Sequence, residues 1–312
     1  MSVLTSIHNS ILSKENPQFE ERKGIIFIIL AGCIWGLNGV CGQYILQDKG
    51  VDPQWMITVR QIVAGIVLLF FAYRKIGNAI FDLWKRKKDA FRLCIFSVLG
   101  IMGSQLCYFC AIKYSNAATA TVLQYLFPIF VAIAITIHFR KLPSIHLIFS
   151  IFLALFGVFL LVTNGRIDKL SLSVTALVWG LISAVASTLY TLLPIPLLQK
   201  YQTTTVVGWG MFVGGIALNF SHPFWQPVGI FDFSTFVCLI FIILFGGLIG
   251  FFLYLTGVKL IGGGKGSVLA TIEPLSAAVF SVLILNVPFS LIDWIGSACI
   301  LITIVILAPK KI

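Results

Sequence analysis

Along the chain, long apolar stretches are separated by short polar interruptions. The apolar stretches fall near 24–46, 54–73, 93–112, 117–138, 144–163, 172–193, 205–220, 234–258, 265–285 and 290–308. Most approach the roughly 20 residues that carry an α-helix through the hydrocarbon of a bilayer. They are continuously apolar, without the apolar–polar alternation over about 10 residues that marks a membrane β-strand. The pattern predicts an all-α polytopic membrane protein with ten transmembrane helices. The sharpest interruption runs from Arg74 to Arg92 and includes Lys85, Arg86, Lys87 and Lys88, too many charges for hydrocarbon.

Composition agrees. Of the 312 residues, 59 % are hydrophobic and 11 % charged, against about 45–50 % and about 25 % in soluble domains. A soluble enzyme of the Rossmann or hydrolase type and a disordered chain are both excluded. A net charge of +11 would suggest nucleic acid in a soluble protein. Here the charges mark topology instead, and no nucleic-acid partner is expected. With residues 1–23 in the cytoplasm, seventeen of the 22 Lys and Arg fall in cytoplasmic segments. Lys49, Lys113, Arg166 and Lys169 fall outside, and Arg60 lies within a span. That asymmetry predicts two cytoplasmic termini and a multi-pass protein of the cytoplasmic membrane. Residues 1–23 show no cleavable signal peptide. Val3, Leu4, Ile7, Ile11 and Leu12 suit either an interfacial helix or a frayed terminus.

The second half repeats the first. Gly100 matches Gly246, Tyr108 matches Tyr254, and Pro128 matches Pro274, each at an offset of 146. Trp35-Gly36-Leu37 matches Trp179-Gly180-Leu181 at an offset of 144. Five spans per copy is an odd number, so the second copy enters the membrane from the opposite side. The expectation is two inverted five-helix repeats, 24–163 and 172–308, an arrangement that supports alternating access.

Trp35-Gly36-Leu37-Asn38, Arg60 in the second span, and the patterns ending at Pro128 and Glu273-Pro274 resemble the drug/metabolite transporter superfamily, in its ten-helix EamA-type branch. The resemblance covers nearly the whole chain from about residue 24. Many members carry Gly-Glu-Arg or Leu-Gly-Glu at the ends of spans 4 and 9. This chain has His138-Phe139-Arg140-Lys141 and Leu285-Asn286-Val287-Pro288 there. The resemblance implies a secondary carrier for a small metabolite, often an amino acid or a derivative, often outward.

Polar groups inside a membrane need a partner or a water-filled cavity. Glu273 is the acid in mid-span, roughly 12 Å from the cytoplasmic end at 1.5 Å per residue. Beside it, Pro274 lacks an N–H and frees a carbonyl one turn back. Such a carboxylate can hold a substrate ammonium, take up a proton, or brace the helices through Arg60. Arg60, roughly 9 Å into span 2, can snorkel, pair with Asp52 or meet a substrate carboxylate. Trp35, Asn38, Gln105, Tyr108, Gln124, Tyr125, Trp179, Tyr190 and Tyr254 are the candidate hydrogen-bonding and cation–π lining of a midplane site. Pro128 and Pro274 are candidate hinges. The site is expected between spans 1–4 and 6–9, with spans 5 and 10 at the periphery.

No metal or cofactor is expected. His8, His138, His146 and His222 show no ligand spacing. Cys107 and Cys110, three apart on one helical face, read as small packing residues. The glycines at 246–250 lie within a span, and those at 262–266 form a turn without phosphate-loop spacing. An intramembrane enzyme would need a paired acid, base or metal cluster at one depth, so the protein is not expected to be an enzyme. The reading is a secondary transporter of an amino acid or related amine or zwitterion, in the export direction. Uptake or exchange of a cationic or other metabolite is the alternative, and an enzyme or receptor is a remote one. Its partners are a small-molecule substrate, the lipid bilayer, and a proton or counter-substrate. Monomer and homodimer are left open.

Overall fold

The computed structural model describes residues 17–138, 140, 142–165, 172–261, 266 and 269–307. The N-terminal apolar face at Val3–Leu12, His8 and most of the glycine turn at 262–266 lie outside the described residues. The described residues form helical rods joined by short turns. In the first half these are α1 (Pro17–Gln47), α2 (Pro53–Ile76), α3 (Lys87–Tyr114), α4 (Ala117–His138) and α5 (Ile145–Thr163). In the second half they are α6 (Val174–Leu192), α7 (Thr203–Asn219), α8, α9 (Ile272–Leu285) and α10 (Leu291–Leu307). α8 comprises Phe233–Ile240, Phe241–Ile249 and Gly250–Ile261. The rods α1 to α6 include six helices long and apolar enough to cross a membrane, and shorter apolar helices follow in the second half.

Capping sets several starts. Asp52 accepts from the amides of Gln54 and Trp55 ahead of Pro53, and Ser144, Ser173 and Asp232 cap α5, α6 and α8, which satisfies amides that a first turn leaves free. The helix expected at 93–112 instead begins at Lys87. Hydropathy reports the depth of hydrocarbon, whereas the helix continues past it into the polar interface. Of the span expected at 265–285, the described helix is Ile272–Leu285.

The irregularities recur within a residue or so of the repeat offset. α3 widens into a π-helical turn at Phe96–Met102, and α8 does so at Phe241–Ile249. α4 breaks at Tyr125-Leu126 ahead of Pro128, and the chain breaks at Ala270-Thr271 ahead of Pro274. Arg140 and Asn286, 146 apart, both adopt the left-handed conformation, with φ of 50° and 51°. Packing follows the same exchange. α1 packs on α8 and α9, just as α6 packs on α3 and α4, while α2 pairs with α7 and α5 with α10. Close crossings use small residues. A Cβ on Gly157 would meet the Gly296 carbonyl, and one on Gly296 would meet the Gly157 carbonyl.

Each end of the bundle is clasped. At one end, Lys49 Nζ lies 2.7 Å from Asp232 Oδ2, the Ile230 amide donates to the Lys49 carbonyl, and Tyr44 Oη lies 3.0 Å from Ser234 Oγ. Lys49 and neighbouring donors hold the Asp232 carboxyl below the usual carboxylate range. At the other end, Lys200 Nζ donates to both Asp89 oxygens at 2.9 and 3.0 Å, and the Tyr201 hydroxyl donates to Oδ2 at 3.0 Å.

Candidate functional site

The site begins with two helix breaks. Proline at 274 removes the N–H that would have bonded the Ala270 carbonyl. That carbonyl accepts instead from the Glu273 amide at 3.0 Å and from the Tyr125 hydroxyl at 2.9 Å. Tyr125 stands in the corresponding break of α4. Its hydroxyl oxygen also lies 2.9 Å from Glu273 Oε2. Glu273 is half-buried.

Arg60 on α2 is 5 % exposed. Its Cζ lies 5.7 Å from the centroid of the Phe109 ring, and its Nε is sealed without a hydrogen-bond partner. It therefore does not snorkel to the interface. Asp52 is occupied as the α2 cap, 3.8 Å from His222, and among the described residues no ion pair joins Arg60 to Asp52 or to Glu273. Arg60, Tyr108, Tyr125 and Tyr254 all lie within electrostatic reach of the Glu273 carboxyl group. A bracing ion pair between Glu273 and Arg60 is thus not what the geometry contains.

Trp35 and Asn38 gather at the wide turn of α8. Trp35 Nε1 donates to the Gly246 carbonyl at 3.0 Å, and the Trp35 ring lies 5.3 Å from that of Tyr254. Asn38 sits against Gly246, where a Cβ would collide with its Oδ1, and that oxygen is sealed without a partner. Gly247 faces Arg60 Nε. The second-half glycines thus let α1 and α2 bring their polar side chains against the backbone of α8.

The remaining candidates separate. Gln124 Nε2 donates to Ser183 Oγ at 2.8 Å, which donates on to the Ser104 carbonyl. Gln124 therefore ties α4 to α6 and α3, away from Glu273. Gln105 accepts from Gln61 at 3.4 Å. Trp179 packs against an apolar cluster built from helices of both halves. Tyr190 stacks on Phe96 at 5.8 Å. The repeat mates Tyr108 and Tyr254 are not equivalent. Tyr108 is hydrogen-bonded to Thr121 Oγ1 at 2.9 Å, whereas Tyr254 packs on Trp35. Cys107 and Cys110 are buried free thiols.

Several polar residues were missed in reading the chain. Gln61 adjoins Arg60 and has a sealed, unpartnered Oε1; its mid-span position was the available signal. Gln43 accepts from the Ala117 amide, and Gln47 donates to the Ile112 and Ser115 carbonyls, so α1 pins the α3–α4 turn. Two apolar surface hollows, one between Tyr73 and Trp209 and one between Ile133 and Arg140, lie apart from Glu273. Their walls suit lipid, and the polar chemistry is elsewhere.

The profile described as the EamA-like transporter family matches residues 22–163 and again 174–308. The chain is 39 % identical over 290 residues to the uncharacterized inner membrane transporter YicL of Salmonella typhimurium, covering 92 % of this chain and 95 % of that one. An uncharacterized transporter of Clostridium kluyveri is 24 % identical over 85 % of this chain and 86 % of its own. A crystal structure with 14 % identity shares the fold at a TM-score of 0.59, covering 91 % of this chain and 95 % of that one.

Proposed function

Because the chain belongs to the EamA-like transporter family and is a membrane transporter, we propose that it exports an amino acid or related zwitterion by alternating access. Its ten crossings form two inverted repeats, 24–163 and 172–308, with both termini in the cytoplasm. The observation that carries the substrate reading is an acidic and a basic side chain that do not pair with each other. Among the described residues, the Glu273 carboxyl group is hydrogen-bonded to the Tyr125 hydroxyl and Arg60 has no carboxylate partner. A buried charge without a counter-charge is costly. A zwitterion offers an ammonium for Glu273 and a carboxylate for Arg60, with Trp35 and Tyr254 as an aromatic wall for the cationic end. Matched wide turns, matched breaks and the exchange symmetry of helix packing support halves that trade conformations.

Counterflow tests the substrate. Proteoliposomes loaded with unlabelled amino acids are expected to accumulate external labelled amino acid transiently. Absence of counterflow for every amino acid, alongside counterflow of a simple amine, would replace the zwitterion by a cation. Topology is tested separately with a membrane-impermeant maleimide. Gln226→Cys is expected to label on intact cells, and Lys88→Cys only after permeabilisation. The opposite pattern would invert the assigned orientation.

A further inference from the structure

The hydroxyl of Tyr125 faces two acceptors and has one proton. Its oxygen lies 2.9 Å from the Ala270 carbonyl and 2.9 Å from Glu273 Oε2. If Glu273 were ionised, the phenol could satisfy only one of them. The other contact would set two lone-pair-bearing oxygens at hydrogen-bond distance with no hydrogen between them. With Glu273 neutral, both contacts are satisfied. The carboxylic acid donates to the Tyr125 oxygen, and Tyr125 donates to Ala270, a directional chain whose members polarise one another.

The position of this chain gives it a consequence. Tyr125 occupies the break in α4, and Ala270 occupies the break preceding α9. One hydroxyl therefore ties together the two points at which the paired halves can bend. We propose that Tyr125 is a positioning residue that reads the proton on Glu273: while the acid is neutral the two breaks are tied through the Ala270 carbonyl, and loss of the proton turns Tyr125 to the carboxylate and releases the tie. The released carboxylate is then the anion that receives a substrate ammonium, so proton and substrate exclude each other at one group. This step rests on the transport reading; the hydrogen-bond state of Tyr125 does not.

The groups facing Glu273 leave this assignment intact. Tyr125 comes from α4, Tyr108 from α3, Tyr254 from α8 and Arg60 from α2. α1, which packs directly on α9, carries no Asp, Glu, Lys, Arg or His between residues 24 and 47. No second carboxylate is present there to hold the proton in place of Glu273.

Infrared difference spectroscopy of the full chain in lipid vesicles, without substrate, tests the proposal. At neutral pH the wild type is expected to show a carboxylic-acid C=O stretch that Glu273→Gln removes. In Tyr125→Phe that band should move to higher frequency, because the acid has lost its acceptor. As alkali removes the band, the C–O stretch of isotope-labelled tyrosine should change in the wild type and stay fixed in Glu273→Gln. Identical carboxylic-acid spectra for the wild type and Glu273→Gln would overturn the neutral acid. An unshifted band in Tyr125→Phe would overturn the role of Tyr125. Should Tyr125→Phe not fold, the coupling of the tyrosine band to Glu273 in the wild type decides alone. Counterflow is read independently, so failure of the carrier reading and failure of this one are distinguishable.

Discussion

Glu273→Gln is expected to abolish concentrative transport while leaving the fold standing. The substitution is nearly isosteric, and a Gln side-chain N–H can still donate to the Tyr125 oxygen, which lies 2.9 Å from Glu273 Oε2. Packing at the adjoining Pro274, buried beside α1, is untouched. What disappears is the negative charge. A hydrogen bond to a charged group contributes about 1.5–3 kcal/mol, which at 1.4 kcal/mol per decade is roughly a 10–100-fold loss of affinity for an ammonium. The proton site disappears with it, so a proton gradient has nothing to act through and uphill flux falls to background. Initial counterflow rates and a thermal melt, taken on the same preparation, separate the two effects. Near-normal flux in a folded variant would remove Glu273 from the mechanism.

Oxidative cross-linking of Cys41 to Cys238 is expected to arrest transport reversibly. These free thiols, on α1 and α8, pack against the same apolar cluster within interaction range of each other. They lie on a seam that runs from Gly24 against Gly257, through Trp35 against Gly246, to Tyr44 against Ser234 and Lys49 against Asp232. A copper–phenanthroline oxidant would take two electrons and release two protons as the two S–H bonds give way to one S–S bond. The seam would then be closed near the Lys49 end, the outer end in the proposed orientation. Flux should stop in proportion to the cross-linked fraction, return with dithiothreitol, and be insensitive to oxidant in Cys41→Ser and Cys238→Ser. Full flux in a cross-linked carrier would mean that this end never parts during the cycle.

How far the chain could be read depended on what each feature changes in its pattern of residues. A carboxylate or a proline inside an apolar run stands out against its neighbours, so Glu273, Pro128 and Pro274 were visible, and the breaks lie ahead of both prolines. Direction was not visible. Gln124 and Tyr125 are adjacent, yet one turns to Ser183 and the other to Glu273, because successive side chains on a helix point about 100° apart. Arg60 was legible as an intramembrane charge but not as one lying over Phe109, since a long stem leaves its end point to tertiary packing. Gln43 and Gln47 went unmarked because polar groups at the end of a span are ordinary. The wide turns at Phe96–Met102 and Phe241–Ile249 have no propensity of their own; only their paired glycines at 100 and 246 hinted that something was shared.

Those wide turns also bear on ancestry. A π turn is an α-helix holding one surplus residue, and removing it would restore regularity while rotating everything beyond by about 100°. Two independent insertions at the same place in both copies would be an improbable coincidence. Wide turns in both segments that the family model matches, 22–163 and 174–308, are what a single surplus residue inherited by both would leave.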